Sequence, residues 1–354
     1  MNFFSKQLLY APASTPTEPP TTPPAQEYEA YRITIDPSSD GTTYSAVVDN
    51  LGTITDLSKT FSSADESTPT PAYVFEGDLY LGDTKITTSG KVTAYSGCFN
   101  SSYYGFYIED GKLMRLKFDT KETLQMGEDT TWSKVSGYTS TSTLSFGTRY
   151  RAFGVNSSGL YSIEPTTTTQ VSTITSWDKI VGYGATSSSY YGYGISNGTL
   201  YSLYASGSGA TQVGSDTDWV DIVGSSSTGY GLRSNKKAYV ISSMNAEHST
   251  VAKISGQWGN VGTGASLTLY TNNNLYLAGS MGTAFNVVDC CGMCTTNYNN
   301  ATVADKQGAV IKADGLRIFP ANWGSSTPLI SGEFVYVGGT ATKTGCYIIA
   351  IKKK

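Results

Sequence analysis

The fold is clearest in one segment of the sequence, Tyr191-Gly-Tyr-Gly-Ile-Ser-Asn-Gly-Thr-Leu-Tyr-Ser-Leu203. Apolar and small or polar residues alternate on both sides of Asn197-Gly198, a pair typical of the tight turn between two antiparallel strands. Further copies share the same plan of an aromatic-rich strand, a turn and a second strand that starts with Leu or Ala. They are Tyr73–Leu81, Tyr104–Leu116, Arg151–Ile163, Tyr230–Ile241, Leu267–Leu277 and Ala309–Phe319.

A second phrase lies between the hairpins and begins with tryptophan at Trp132, Trp177, Trp219 and Trp258, each followed by a short run that ends in glycine. Less faithful copies occupy the same place at Lys91–Gly97, Phe285–Cys291 and Phe334–Gly339. With a short strand such as Thr211–Val213, each unit supplies four strands in about 40 residues, the length of one propeller blade. We predict that the tryptophans hold equivalent places on successive blades, with each large ring between neighbouring sheets.

The repeat predicts an all-β chain, a β-propeller of about seven four-stranded blades, with eight possible. The spacing between copies varies from 34 residues (Leu79 to Leu113) to 47 (Leu113 to Leu160). Blades tolerate such variation in their loops, whereas a β-solenoid stacks on a stricter period. The repeats are clear over residues 73–340. We expect the propeller to span 29–354, with early strands near 31–35, 44–48 and 53–57 pairing with the C-terminal strands to close the ring.

The N-terminal residues differ in composition from the repeats. Residues 1–10 form a short apolar peptide, with Phe3, Phe4, Leu8, Leu9 and Tyr10 as candidate anchor residues. Residues 11–28 are a linker rich in Pro and Thr, which favours extended polyproline II, and 11–26 would reach about 50 Å. We expect residues 1–26 to attach the propeller to other proteins of an assembly; a disordered tail is the alternative.

Composition excludes several classes of function. Charged residues make up 15% of the chain and the net charge is −4. The one basic cluster, Lys352–Lys354, is expected to be a solvated end, so the sequence predicts no nucleic-acid partner. No stretch approaches the roughly 18 apolar residues of a membrane span. The N-terminus does not resemble a secretory signal, and we expect synthesis in a cytoplasm.

Catalytic and metal-binding patterns are weak. The only histidine, His248, is expected in a loop, and no pair of carboxylates stands out. Cys290, Cys291 and Cys294 are weak candidates for a zinc site, with Cys98 or Cys346 as a distant fourth ligand. We favour small buried residues at a strand end for Cys290 and Cys291, and we expect no cofactor and no enzyme activity. Residues 292–307 are expected to form the longest irregular insertion.

The hairpin with its tryptophan phrase resembles the RCC1-like propeller repeat over roughly residues 73–340. In that repeat a strand ending in Gly is followed by a hairpin of the Gly-Leu-Tyr type. This sequence lacks the Gly-Gln-Leu-Gly tail of the full repeat. The resemblance therefore implies architecture and carries over no exchange-factor activity.

The surface composition and the arm lead to an expectation about function. Tyr with Ser, Gly and Asn makes an adaptable binding surface, and low charge with an N-terminal docking peptide is similar to virion proteins of tailed phages. We expect a non-enzymatic virion protein, either a head or tail fibre, a decoration protein or a receptor-binding component. Its partners would be other virion proteins and a host surface receptor or glycan. The alternatives are a cellular scaffold for protein–protein interaction and a glycan-binding or glycan-processing propeller.

Overall fold

The computed structural model describes an all-β chain. The described residues are 26–37, 44–62, 72–98, 104–138, 151–185, 190–205, 209–224, 229–241, 243–248, 251–257, 265–270, 275–277, 287–294, 306–319, 327–342 and 345–354. Within these ranges the one helical element is a 3-10 turn at Leu57–Lys59. No helix in them is long and apolar enough to cross a membrane.

The chain opens with the two longest described strands, β1 (Tyr28–Pro37) and β2 (Tyr44–Ile54), which pair antiparallel. The predicted third early strand at 53–57 is therefore wrong as a separate element. Thr53 and Ile54 still belong to β2, and the side chain of Asp56 then caps the 3-10 turn by accepting from the backbone of Ser58.

Seven sheets follow in chain order, and we number them as blades 1 to 7. Blade 1 contains β3 (Phe61–Ser62), β4 (Ala72–Phe75), β5 (Asp78–Leu81) and β6 (Thr84–Lys85). Blade 2 contains β7 (Val92–Cys98), β8 (Tyr104–Glu109), β9 (Lys112–Lys117) and β10 (Thr123–Gln125). Blade 3 contains β11 (Lys134–Tyr138), β12 (Arg151–Asn156), β13 (Gly159–Glu164) and β14 (Thr167–Ser172). Blade 4 contains β15 (Lys179–Ala185), β16 (Tyr190–Ser196), β17 (Thr199–Tyr204) and β18 (Ala210–Gln212).

The later blades keep the same order of strands. Blade 5 contains β19 (Trp219–Gly224), β20 (Gly229–Arg233), β21 (Ala238–Val240) and β22 (Asn245–His248). Blade 6 has three described strands, β23 (Val251–Gln257), β24 (Ala265–Tyr270) and β25 (Leu275–Leu277). Blade 7 contains β26 (Val287–Cys294), β27 (Lys306–Lys312), β28 (Gly315–Phe319) and β29 (Ile330–Ser331). His248 thus ends a strand, contrary to the expected loop, and 292–294 and 306–307 are strand residues rather than part of an insertion.

The eighth sheet joins the two ends of the chain. Its order is β2-β1-β31-β30, where β30 is Phe334–Thr342 and β31 is Gly345–Lys353. β1 pairs antiparallel with β31 from Tyr28 opposite Lys353 to Ile35 opposite Cys346. We call this sheet the closing blade. The number of blades, left between seven and eight by the sequence, is eight in the described structure.

The first strand of each of blades 1 to 7, and β30 in the closing blade, is the innermost strand of its sheet. Innermost strands of consecutive blades contact one another from β7 through β11, β15, β19, β23 and β26 to β30, and β30 contacts β3 of blade 1. Blade 1 in turn contacts blade 2 through β4 and β7, so the sheets form a closed ring. The predicted propeller is confirmed, and its core lies between the blades.

Type I′ turns explain why the hairpins form where the sequence places them. Asn197 and Gly198 both have positive φ, 49° and 74°, as this turn requires. A Cβ on Gly198 would also clash with the carbonyl oxygen of Thr217, at the start of the next blade. The turn glycine therefore serves both the hairpin and the contact between blades 4 and 5.

Candidate functional surfaces

The strand directions give the ring two different faces. Innermost strands begin at one face, where the second and third strands of each blade are joined by short turns. The amide of Trp219 donates to the carbonyl of Gly198 at this face, and Trp132 makes the same bond to Gly111. β1 begins and β31 ends here, and Lys354 donates its backbone amide to Glu27. We call it the arm face, because residues 1–25 precede Gln26 there.

The opposite face, which we call the loop face, is where the innermost strands end. Every connection from an innermost strand to the second strand starts and finishes at this face, and all of these connections lie outside the described residues. Their sequences are rich in Ser, Thr and Asn, and residues 186–189 and 225–228 contain only Ser and Thr. Gln26, which follows the arm, and the strand ends that these connections join therefore lie at opposite faces of the ring.

Three of the four predicted tryptophans hold equivalent places. Trp132, Trp177 and Trp219 are buried, and each packs with apolar residues of its own blade and of the preceding one. Each ring also meets a tyrosine of its own blade edge-on at 5.3–5.5 Å. Trp258 lies outside the described residues. In blade 4, Trp177 covers Gly194, where an added Cβ would come 2.5 Å from the indole ring.

The indole N–H groups differ among these positions. Nε1 of Trp177 donates to the carbonyl of Ile174 at 2.7 Å. Nε1 of Trp132 and Nε1 of Trp219 are buried and have no hydrogen-bond partner among the described residues. The equivalent packing is therefore set by the shape of the ring rather than by its polar edge.

The C-terminal lysines pair with acidic residues of the closing blade at the arm face. Lys354 lies 2.9 Å from Glu27, Lys352 lies 3.6 Å from Glu29, and Lys353 pairs with Glu333. The three lysine side chains are 25–48% exposed, so this end is partly solvated as expected, although β31 carries Lys352 and Lys353 into the sheet.

Glu29 connects two strands of the closing blade. The hydroxyl of Tyr31 donates to its carboxylate at 2.7 Å, and this bond, together with the charge of Lys352, holds the pKa of Glu29 below its usual value. Burial and the neighbouring Glu29 raise the pKa of Tyr31 to about 12. Glu29 is therefore ionised, and paired, at neutral pH.

Arg32 of β1 links the closing blade to blade 1, and no sequence pattern predicts this contact. Its guanidinium bonds Asp49 of β2 at 2.8 Å and Asp83 of blade 1 at 2.5 Å. It also lies 5.8 Å from the ring centroid of Tyr73. Burial opposes its charge, but the hydrogen bonds to the two carboxylates outweigh that effect and raise the pKa of Arg32.

Hydroxyl groups join the innermost strands of blades 2 to 4. Oγ of Ser96 accepts from the amide of Gly137 at 2.7 Å, and Oγ of Ser136 accepts from the amide of Gly182 at 3.1 Å. These bonds satisfy backbone donors on the free edges of strands that face the axis. The recurring Ser-Gly pair at Ser96-Gly97 and Ser136-Gly137 is the sequence signal that would have found them.

The remaining candidate residues fall outside what the structure describes. Phe3, Phe4, Leu8, Leu9 and Tyr10 precede residue 26. The backbones of Cys290, Cys291 and Cys294 lie on β26, opposite Val310, Ala309 and Lys306 of β27, but their side chains are not described. Where side chains are described, no three His, Cys, Asp or Glu residues are grouped to hold a metal ion.

Comparisons with known proteins give the fold and no more. No protein-family model matches the chain. No curated protein matches it either. The chain is similar in structure to Prp20p of Saccharomyces cerevisiae, an RCC1-like propeller, with a TM-score of 0.51 and 7% identity over 93% of this chain and 92% of Prp20p.

Two further solved structures are similar at lower scores. BBS1N, solved in complex with ARL6DN, has a TM-score of 0.49 and 11% identity over 77% of this chain and 94% of BBS1N. PorZ of Porphyromonas gingivalis, a component of the type-IX secretion system, has a TM-score of 0.44 and 11% identity over 80% of this chain. The chain spans 40% of the length of PorZ. At these identities the likeness to propellers shows architecture alone.

Proposed function

We propose that this chain is a non-enzymatic structural protein of a tailed-phage virion, located in the particle as a fibre, decoration or receptor-binding component. Residues 1–26 attach it to other virion proteins, and the loop face binds a receptor or glycan on the host surface. The observation that carries the proposal is that the point of attachment and the proposed receptor-binding surface lie on opposite faces of the ring. The arm leaves from one face of the ring, and the Ser/Thr/Asn-rich connections belong to the other.

The architecture supports binding rather than chemistry. The structurally similar Prp20p is described by its binding to Gsp1p and histones, and BBS1N by its complex with ARL6DN. Protein binding is therefore a use to which propellers of this kind are put. Several charged groups in the described part of this chain form ion pairs within the fold, such as Arg233 with Asp216 and Asp218 at the arm face.

Attachment through the arm is tested by deletion. We expect gradient-purified particles from the source culture to contain the full chain and to lack a variant without residues 1–25. Circular dichroism of the purified variant must show that the ring is still folded, and a variant with Thr21→Ala and Thr22→Ala is the matched control. Particles that incorporate the truncated chain at the normal level would overturn the attachment role.

The alternatives predict different outcomes. A cellular scaffold would be absent from purified particles and would be recovered with host proteins from uninfected cells. A glycan-processing propeller would release reducing sugar from isolated host envelope, whereas the proposed protein would bind that envelope without changing it. Incubating the purified full chain with isolated envelope, followed by sedimentation and a reducing-sugar assay, separates these outcomes.

A further inference from the structure

The outer edge of the closing blade is unlike the outer edges of the other blades. β2 is outermost there and is 11 residues long. The outermost strands of the other described four-stranded blades, β6, β10, β14, β18, β22 and β29, have two to six residues. A long free edge is a template for another strand, and short edge strands are a usual protection against such pairing. β2 is too long for that protection, although a bulge at Leu51 interrupts its pairing with β1 and leaves 44–50 as the regular part of the edge.

The side chains of β2 also favour pairing. Val47 is 54% exposed and Val48 is 39% exposed, two of the five large exposed hydrophobic residues among those described. The strand has neither lysine nor proline, the residues that commonly block an edge. Its one charge, Asp49, receives both bonds from Arg32 on Oδ2, which leaves Oδ1 for a second cation.

We propose that the strand bound at this edge is residues 1–11 of a second copy of the chain, paired antiparallel to β2. This inference rests on the attachment role proposed above and names the partner of the arm. A ladder formed by this peptide must stop at Pro12, which has no backbone N–H to donate, so Ala11 is the last residue that can pair in full.

Placing Ala11, the last residue before Pro12, opposite Tyr44, the first residue of β2, sets one register. Leu8 then lies opposite Val47. The only charged residue of the peptide, Lys6, lies opposite Asp49, the only charged residue of β2. Directly opposed residues share one side of a sheet, so this register joins an apolar pair and an opposite-charge pair side by side. Neither match was used to choose the alignment.

The linker favours a second copy over the chain's own edge. Antiparallel pairing places residue 11 at the loop face, whereas Gln26 lies at the arm face beside Tyr28. Residues 12–25, if extended as polyproline II at about 3.1 Å per residue, would span about 43 Å. To pair with β2 of its own chain, the peptide would need the proline-rich linker to reverse direction sharply at both ends. Pairing with β2 of a neighbouring ring needs no such reversal.

The test compares the size of the full chain with that of single variants, by light scattering over a range of concentrations. We expect the wild type to associate with rising concentration. Val47→Lys, which blocks the edge, should shift the midpoint of association at least tenfold. Leu124→Lys, at a 46% exposed residue of the short outer strand β10, should not shift it. Lys6→Pro in the peptide should act like Val47→Lys, and Thr17→Pro in the linker should not.

Charge complementarity gives a finer readout. Lys6→Asp places a carboxylate opposite that of Asp49. The repulsion should weaken association by roughly fivefold, which corresponds to the upper end of the energy of a cross-strand pair. Three results would each overturn the inference. The first is a wild type that stays monomeric at every concentration. The second is an equal shift of the association midpoint in Val47→Lys and Leu124→Lys. The third is a monomeric wild type whose β2 amides are protected from hydrogen exchange but lose that protection in Lys6→Pro, because the peptide would then pair with β2 of its own chain. If association fails but the chain still needs its arm to enter particles, the proposed function stands with another partner.

Discussion

Blades 3 to 5 and the closing blade differ in how they pack against the blades beside them. Each of blades 3 to 5 is one continuous piece of chain and inserts a tryptophan against its predecessor. The closing blade is built from both ends of the chain. It packs Phe334 against blade 7, and it meets blade 1 through a small cluster of Ala30, Ile54 and Ile351 with the polar link of Arg32. The interior contacts centre on a buried tryptophan, with polar links such as Lys179 to Asp221 at the side, whereas the described closing contact has no tryptophan and relies more on the ion pairs of Arg32. The two regions should therefore respond differently to mutation, salt and acid.

The largest effect is expected at an interior tryptophan. Trp177→Ala removes a buried indole between blades 3 and 4 and should lower the free energy of unfolding by about 3–5 kcal/mol. Denaturant unfolding measures the loss, and Val220→Ala, at a 56% exposed side chain, is the control. A cost below about 1 kcal/mol would mean that the tryptophan does not hold the two blades together.

A smaller effect is expected from overfilling the same contact. In Gly194→Ala the new Cβ would lie 2.5 Å from the Trp177 ring, and the strain should cost about 1–3 kcal/mol. Combining it with Trp177→Phe should relieve part of that cost, because the smaller ring leaves room. Additive losses in the double variant would show that Gly194 and Trp177 are not in contact.

The closing contact should be weaker and sensitive to salt. Arg32→Met keeps much of the aliphatic stem but removes the bonds to Asp49 and Asp83, both of which are substantially exposed. We expect a loss of about 1 kcal/mol that shrinks in high salt, since exposed ion pairs are screened. Lys237→Met, at an exposed residue of blade 5, is the matched control. Equal losses in both variants would remove any special role for Arg32.

The smallest effect is a dependence on pH at Glu29. Its pKa is lower in the folded chain than the ordinary value of 4.5, so its contribution to stability is present above that value and is lost as the pH falls through the folded pKa. The difference in stability between wild type and Glu29→Gln should therefore be largest near neutral pH and vanish in acid. A difference that stays constant between pH 7 and pH 3 would contradict the assignment.

Much of this architecture was legible in the sequence, and the difference between the two regions explains where it was not. Interior blades repeat a pattern, so Trp177 and the Asn197-Gly198 turn could be placed by comparison with their copies. The closing blade occurs once, and its contacts join residues far apart in the chain. Arg32 and Asp83 are 51 residues apart and follow no period, so the bond between them could not be found from spacing. The length of β2 likewise depends on β1 beside it.

The two candidate surfaces show the same limit. The composition of the arm predicted an attachment segment, but its position relative to the loops needed the strand directions. Once β31 ends beside the start of β1, the arm face and the loop face follow from the alternation of strands. Nothing in the local sequence of residues 186–189 or 225–228 marks the face to which they belong.

The orientation of the ring on the particle tests the account most directly. Cryo-electron microscopy of purified virions should show an eight-bladed ring whose arm face points toward the particle, with density for residues 1–25 leaving beside β1 and β31. The loop face should point outward. A ring bound through its loop face, or particles without any such ring, would contradict the account.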